Sequence, residues 1–393
     1  MIKKLFLLPL LLLALSCSQK EYSLLTVLTD QKDMVLIAEY YNKIQDHSRL
    51  NLVYDDYISP EDITLYSPDL VVGKDLNNRQ FQELFIEIEK PEGIYPVLWG
   101  ENDEDSASLL PLAFDMPIIV YKADKKNLPI IMDDQSLKAQ GTNGNRLDEG
   151  DFIHMGFSPL WNPDFLYWYL RGKGVTFHSQ EDFGYDQDKL SLAIQTIREW
   201  VETENQGFDK EKAFTQKYRY IPDYQLLKQG VIDYSAMTFT QYSRLPGKET
   251  GEMTFSWYGD GEHINPVNCL YGGIPKESNQ NKRTVDFLYW ILSVENQKEL
   301  IKYKGIVSPG FSLFDRFSTL EEINRLHLPM VFSDKLGIRL FLEEQLGAPM
   351  EEPINWSAVK KDAIYPWLEE TLWENNTLPL SSFYKEWQLQ FID

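Results

Sequence analysis

The stretch LLPLAFDMPIIVYKAD, residues 109–124, decides how this chain is organised. It opens on Leu110-Pro111-Leu112, sets one carboxylate, Asp115, behind them, and continues through an apolar segment at 118–121. A short apolar run bounded by turn residues is the pattern of a buried strand. We read it as the segment by which the chain leaves one lobe and enters a second, with Asp115 at the mouth of a cleft between the two. A carboxylate beside apolar residues costs several kcal/mol (roughly) unless something hydrogen-bonds to it. A polar ligand would supply that partner; the alternative is that Asp115 caps a turn.

Outward from this stretch toward the N-terminus, residues 22–28 form a β-rich apolar run ended by Thr29-Asp30. Residues 33–44 carry Met34, Ile37, Ala38, Tyr41 and Ile44 at helical spacing. Leu50, Leu52 and Tyr54 alternate as in a strand, and Ser67-Pro68-Asp69 precedes a third strand at 70–72, with a helix at 80–88. This alternation predicts an α/β lobe with a largely parallel sheet. In such sheets ligands bind beyond the carboxyl ends of the strands, where Asp30 and Asp75 stand.

Toward the C-terminus, 127–151 is polar and rich in Gly, Asn and Asp, which reads as a surface loop with helical pieces. Residues 156–170, GFSPLWNPDFLYWYL, contain strong helix starts at Ser158-Pro159 and Asn162-Pro163, with Asp164 in a first turn. Residues 186–203 form the clearest amphipathic helix, with Leu190, Ala193, Ile194, Ile197 and Val201 on one face. Further strands are expected at 231–239, 253–257 and 267–271, helices at 284–292 and 297–303, and a mostly helical remainder over 321–393.

Bulk properties narrow the function. Lys and Arg number 38 against 60 Asp and Glu, a formal charge of -22, which repels nucleic acid. A strongly anionic ligand is disfavoured less firmly, because one local basic pocket can override the global field. Lys3-Lys4 followed by an apolar run at 5–13 reads as an export signal too short to span a bilayer. Ala14-Leu15-Ser16-Cys17 resembles a bacterial lipobox, with Ala14 and Leu15 departing from the usual residues. That resemblance implies removal of residues 1–16 and a lipid on the sulfur of Cys17, anchoring the protein to a bacterial membrane on its periplasmic or outer side. The remaining cysteine, Cys269, then has no disulfide partner and reads as a buried thiol.

Catalytic signatures are missing. There is no His-Glu-x-x-His run, Gly-x-Ser-x-Gly elbow or Walker loop. The five histidines lie far apart in sequence, so neither a metal nor a cofactor is expected.

Several stretches, in order, resemble the sugar-type extracellular solute-binding proteins of bacterial ABC importers. The most telling are Leu110-Pro111-Leu112 with Asp115 and Tyr121-Lys122-Ala123-Asp124, and the block Gly272-Gly273-Ile274-Pro275-Lys276-Glu277-Ser278-Asn279 before a helix. The resemblance covers nearly all of the mature chain. Thr284, Val285 and Asp286 stand where the family has an alanine-rich segment. It implies an α/β, two-lobed periplasmic-binding-protein-like fold with three inter-lobe crossings, near 115–121, 257–264 and 305–309. The first lobe is then 22–118 plus 264–307, and the second 122–258 plus 311–393. It also implies a monomer that closes on a small polar ligand and delivers it to permease subunits. The alternatives are a sensor or adhesin of the same fold and a secreted glycan-degrading enzyme.

A sugar offers hydroxyls in its plane and C–H faces above and below, so a site for it needs carboxylates, amides and aromatic faces. With 10 Trp, 22 Tyr and 21 Phe, most rings must be core, and position has to choose among them. The expected contacts are Asp30, Asp75 and Asp115 among the acids, and Trp161 in the loop before a second-lobe helix. Gln241 and Tyr242 follow a strand, Trp257 and Tyr258 lie at a crossing, Gly272 is in the glycine block, and Trp356 is near a late turn.

Overall fold

The computed structural model describes residues 22–100, 104–179, 183–337, 339–374 and 378–391. The expected signal segment 1–16 and Cys17 lie outside the described residues. Leu110–Asp115 and Pro117–Lys122 belong to different sheets, and Met116 alone separates them. The first sheet has six strands in the order Phe317–Ser318, Leu110–Asp115, Val267–Gly273, Leu70–Gly73, Ser23–Thr29 and Ser48–Tyr54. The second has four, in the order Tyr234–Thr238, Pro117–Lys122, Met253–Tyr258 and Ile131–Met132.

The first sheet is mixed rather than largely parallel. Ser23–Thr29 pairs in parallel with both of its neighbours, but Val267–Gly273 runs antiparallel to Leu70–Gly73 and to Leu110–Asp115. The reason is the route of the chain. Leu110–Asp115 leaves the sheet toward the second lobe and Val267–Gly273 returns from it, so the two must point in opposite directions.

The expected crossing at 305–309 is corrected, and with it the start of the second lobe at 311. Phe317 pairs with Phe114 and Ser318 with Ala113, which keeps the chain on the first sheet well past that point. Gly305 lies inside the helix Val294–Val307 and weakens it without ending it. The chain reaches the second core later, where the Glu352 N–H still donates to Asn77 O and Trp356 is already buried among second-lobe side chains.

Strand alternation divides the apolar residues between two cores. On Pro117–Lys122, Ile118 and Val120 join one core while Ile119 and Tyr121 join the other. The helix Gln187–Glu204 buries Leu190, Ala193, Ile194, Ile197 and Val201, and its N-cap Asp186 accepts from the Lys189 N–H at 3.0 Å. The polar 127–151 region is more ordered than its composition suggests. It holds the helix Asp134–Gly144, capped by Asp133, and a hairpin of Arg146–Asp148 with Asp151–His154. Gly141 permits this packing, since a Cβ there would stand 2.9 Å from Phe157 Cβ. Between the sheets sits a ring cluster in which Phe239 lies 4.7 Å from Phe311, 4.8 Å from Phe317 and 5.8 Å from Trp257 between centroids. Phe114 and Phe341 extend it. Among the described residues, no helix is long and apolar enough to cross a membrane.

Candidate functional site between the lobes

A cavity of about 420 Å³ lies between residues that follow the first sheet and residues carried by the second. A second cavity of about 360 Å³ shares Asp164, Thr238 and Asn268 with it, so the two are compartments of one cleft.

The helix Pro163–Gly172 supplies one wall. Asn162 caps it through the Asp164 N–H at 2.8 Å, and Pro163 occupies its first position, where a missing N–H costs nothing. Asp164, Tyr167, Trp168 and Arg171 follow at i, i+3, i+4 and i+7, which places all four on the face that lines the cavity. Asp133 and Asp134 come from the start of the next helix in the lining, Asp134–Gly144, and Tyr258 from the end of Met253–Tyr258. The first lobe contributes Asp75 and Asn77 after Leu70–Gly73, and Asn268, Cys269 and Tyr271 from Val267–Gly273. Glu352 and Lys360 complete the ring-lined compartment.

These groups hold one another in place. The Tyr167 hydroxyl donates to Glu352 Oε1 at 2.8 Å and accepts from the Trp356 indole N–H at 2.8 Å, while the Lys360 ammonium lies 4.9 Å from the Tyr167 ring centre. The Tyr258 hydroxyl donates to Asp134 Oδ1, whose other oxygen meets the Lys173 ammonium at 2.6 Å. Burial, reinforced by Asp134, pushes the Tyr258 phenol well above its ordinary pKa. Asp75 has a left-handed φ of 51° and accepts from Ser357 N at 2.8 Å and Ser357 Oγ at 3.0 Å. Burial first and the neighbouring Glu352 second push its carboxyl up to about 6. Cys269, expected to be a buried thiol, is half-buried and lines the cavity, and its burial pushes the thiol up to about 12.

The expected residues divide. Asp75 and Tyr258 line the ring-lined compartment, and Asp30, Asp115 and Gln241 line the second. Asp115 is 2% exposed and accepts from Met116 N at 2.8 Å and Thr240 N at 3.1 Å. Burial raises its pKa against the opposing pull of Thr240 and Thr238. Asp30 is likewise raised by burial although Lys74 opposes it. The other five expected residues serve packing. Trp161 is corrected to an edge-on contact with Phe214 at 5.7 Å, because its loop turns the ring toward the core. Tyr242 and Trp257 point into the ring cluster, at 2% and 0% exposure. Gly272 provides close approach, since a Cβ there would meet Leu288 at 3.1 Å and Leu112 at 3.3 Å. Trp356 is fully buried and meets the cavity wall through its hydrogen bond to Tyr167.

The lining residues that sequence reasoning missed include Tyr167, Trp168 and Arg171. Their signal was available in the i, i+3, i+4, i+7 spacing from Asp164. The unbroken run FLYWYL obscured it, because a helix apolar on all sides reads as buried.

No protein-family model and no curated protein sequence matches the chain. Solved structures do. A cyclo/maltodextrin-binding protein in complex with maltotetraose superimposes with a TM-score of 0.60 at 14% identity, over 95% of this chain and 98% of that one. The cyclic alpha-maltosyl-1,6-maltose binding protein of Arthrobacter globiformis gives 0.56 at 14% identity, over 94% and 98%. The galacto-N-biose-/lacto-N-biose I-binding protein of the ABC transporter of Bifidobacterium longum gives 0.54 at 11% identity, over 95% and 96%. At these identities the likeness is one of fold: over nearly its whole length the chain has the two-lobed α/β architecture of these binding proteins.

Proposed function

We propose that the protein is a lipid-anchored solute-binding protein that captures an oligosaccharide between its lobes and delivers it to the permease of an ABC importer. The observation that carries this reading is the ring-lined compartment. Tyr167, Trp168, Tyr258 and Tyr271 supply aromatic faces, while Asp75, Asp134, Asp164 and Glu352 supply acceptors for hydroxyls. Rings and carboxylates converging in a cleft of this size suit a ligand with apolar faces and a polar rim. Because the walls belong to different lobes, a ligand touching both favours the closed arrangement by its differential contacts there. Cys17 supplies the anchor in this reading, and the protein acts as a monomer without a cofactor.

The test is a fluorescence titration of the full chain in detergent against neutral and charged oligosaccharides, with the sugar recovered and analysed afterwards. Saturable quenching with the sugar unchanged is expected. A hydrolysed product would overturn the non-catalytic reading, and no response to any sugar would overturn the choice of ligand class. Cys17→Ser is expected to shift the protein from the membrane to the soluble fraction.

A further inference from the structure

The second compartment gathers a half-buried guanidinium among acids that, like those of the ring-lined one, already have donors. Asp33 and Asp315 each meet the buried Lys304 ammonium at 2.7 Å, and Asp315 also takes a two-pronged contact from Arg244 at 2.7 and 3.1 Å. Asp115 accepts two backbone N–H groups, and Asp30 accepts from Gln31 and from the Lys74 N–H. Arg316 stands among them half-buried, and among the described residues it forms no ion pair. One of its terminal nitrogens donates to Gln31 Oε1 at 2.8 Å and to Phe314 O at 3.3 Å. The rest of its planar fork has no partner among the described residues.

The backbone that aims Arg316 is strained. Ser312, Phe314 and Asp315 are non-glycine residues with φ of 52°, 56° and 53°. Conformations of this kind persist only where the surroundings over-determine them, and they cluster at ligand clamps. Here Lys304 and Arg244 on the Asp315 side chain, with the Thr240 hydroxyl on its carbonyl at 2.6 Å, do the holding.

We infer that Arg316 is a specificity-determining residue that receives the carboxylate of a uronic acid unit in the second compartment. The inference rests on the proposed sugar binding. A compartment whose acceptors are satisfied and whose guanidinium is not lacks an acceptor, and a planar carboxylate fits the fork in a two-pronged manner. Burial raises the pKa of Asp30 and of Asp115, and the Arg316 guanidinium is among the groups that pull both back down. Because the compartments join at Asp164, Thr238 and Asn268, one oligosaccharide reaches both, with a ring on the aromatic side and its acid beside Arg316.

The experiment is calorimetry on the full chain in detergent with three trisaccharide probes: neutral glucose units, the same with one glucuronate, and the same with one sulfate ester. The glucuronate probe is expected to bind about tenfold or more tighter than the neutral one, with the advantage shrinking as salt rises. Arg316→Gln is expected to erase that advantage while changing neutral-probe affinity less than about twofold, and Arg316→Lys to restore part of it. Equal affinity for the neutral and glucuronate probes, or an equal loss for both in Arg316→Gln, overturns the inference and leaves the sugar-binding reading standing. Tighter binding of the sulfate probe overturns the assignment to a carboxylate. No binding of any probe overturns the sugar-binding reading and this inference together. Unchanged thermal midpoints of both variants show that the loop still folds.

Discussion

Two aromatic regions of this molecule sit within one chain and do opposite things. The ring cluster between the sheets is built from Phe114, Phe239, Phe311, Phe317 and the half-buried Phe341 around Trp257, and its fully buried centre is dry. The cleft rings are Tyr167, Trp168, Tyr258 and Tyr271, and carboxylates stand among them. The difference lies in the acids that the cleft hydroxyls meet, since Tyr242 of the cluster reaches a backbone carbonyl, Met253 O, at 3.5 Å. Phe closes a hydrophobic contact with nothing left to satisfy. A buried Tyr needs a partner for its O–H, and here Tyr167 and Tyr258 find theirs on acids at the cavity. Aromatic richness alone therefore does not mark a binding site; in the proposed one, two of the rings are tied to acids.

The largest effect should come from breaking the dry cluster. Trp257→Ala removes a fully buried ring and is expected to cost about 3–5 kcal/mol of stability. Urea unfolding measures it. Trp257→Phe sharpens the point, because the indole N–H is buried without a partner among the described residues and its removal offsets part of the lost volume. If Trp257→Ala weakened sugar binding while leaving stability intact, the division between the two regions would be wrong.

A second effect separates a core acid from a cleft acid by pH. Glu211 is fully buried, held by Ser158 and by Asn205 Nδ2 at 2.8 Å, and burial pushes it up to about 7 from 4.5. Asp75 is pushed up to about 6 from 3.8. Both are raised in the folded state, so between the unfolded and folded values the folded protein binds more protons than the unfolded chain. Stability from these groups therefore rises as pH falls from 8 toward 5, by roughly 2–3 kcal/mol for Glu211 and less for the cavity-facing Asp75. The lowered Asp233 and Asp315 lose stability only below the ordinary carboxylate range, outside this window. Glu211→Gln should flatten the profile without touching ligand affinity, whereas Asp75→Asn should alter both. Because the depressed His327 works in the opposite sense below 6.5, the deciding quantity is the stability difference between wild type and Glu211→Gln, and a difference that rises with pH over this window would reject the assignment.

Trp168→Ala tests the wet side. Trp168 is among the residues that line the cavity, and its loss is expected to weaken ligand binding by about 2 kcal/mol, as for an aromatic anchor. Titration calorimetry reads the change, and an unaltered affinity would move Trp168 out of the site.

How much of this was legible follows from what a sequence encodes. The strands of the first sheet show in Leu50, Leu52 and Tyr54 and in the apolar run 70–72, because burial on a sheet is periodic. The passage at Met116 shows because Asp115 interrupts two apolar runs. The third passage was misplaced because Gly305 reads as a breaker yet sits inside a helix, and a pairing as short as Phe317–Ser318 leaves almost no pattern. For the site, position after a strand placed Asp30 and Asp75 on the cavity lining, and position at a crossing placed Tyr258 there. It could not say which way Trp161 or Trp356 turns, since a ring suits a core and a cavity wall equally well until its neighbours are known.

Gln241 tests the comparison at its finest grain, because its own side chain lines the second compartment while the helix it caps carries Phe239 of the ring cluster. Its side chain lines the second compartment, yet its amide oxygen already accepts from the Thr238 N–H at 2.8 Å while the Thr238 hydroxyl accepts from the Gln241 N–H at 3.2 Å. This reciprocal pair is a capping box at the start of the helix Phe239–Ser243, whose backbone also feeds Asp115 through Thr240. A side chain so engaged has only its amide N–H groups left for a ligand. Gln241→Ala should therefore cost about 0.5–1 kcal/mol of stability through the lost cap and change ligand affinity by less than that. Gln241→Glu keeps the accepting oxygen and should recover the stability. If the alanine variant instead lost binding with its melting temperature unchanged, Gln241 would belong to the ligand and the helix start would need another explanation.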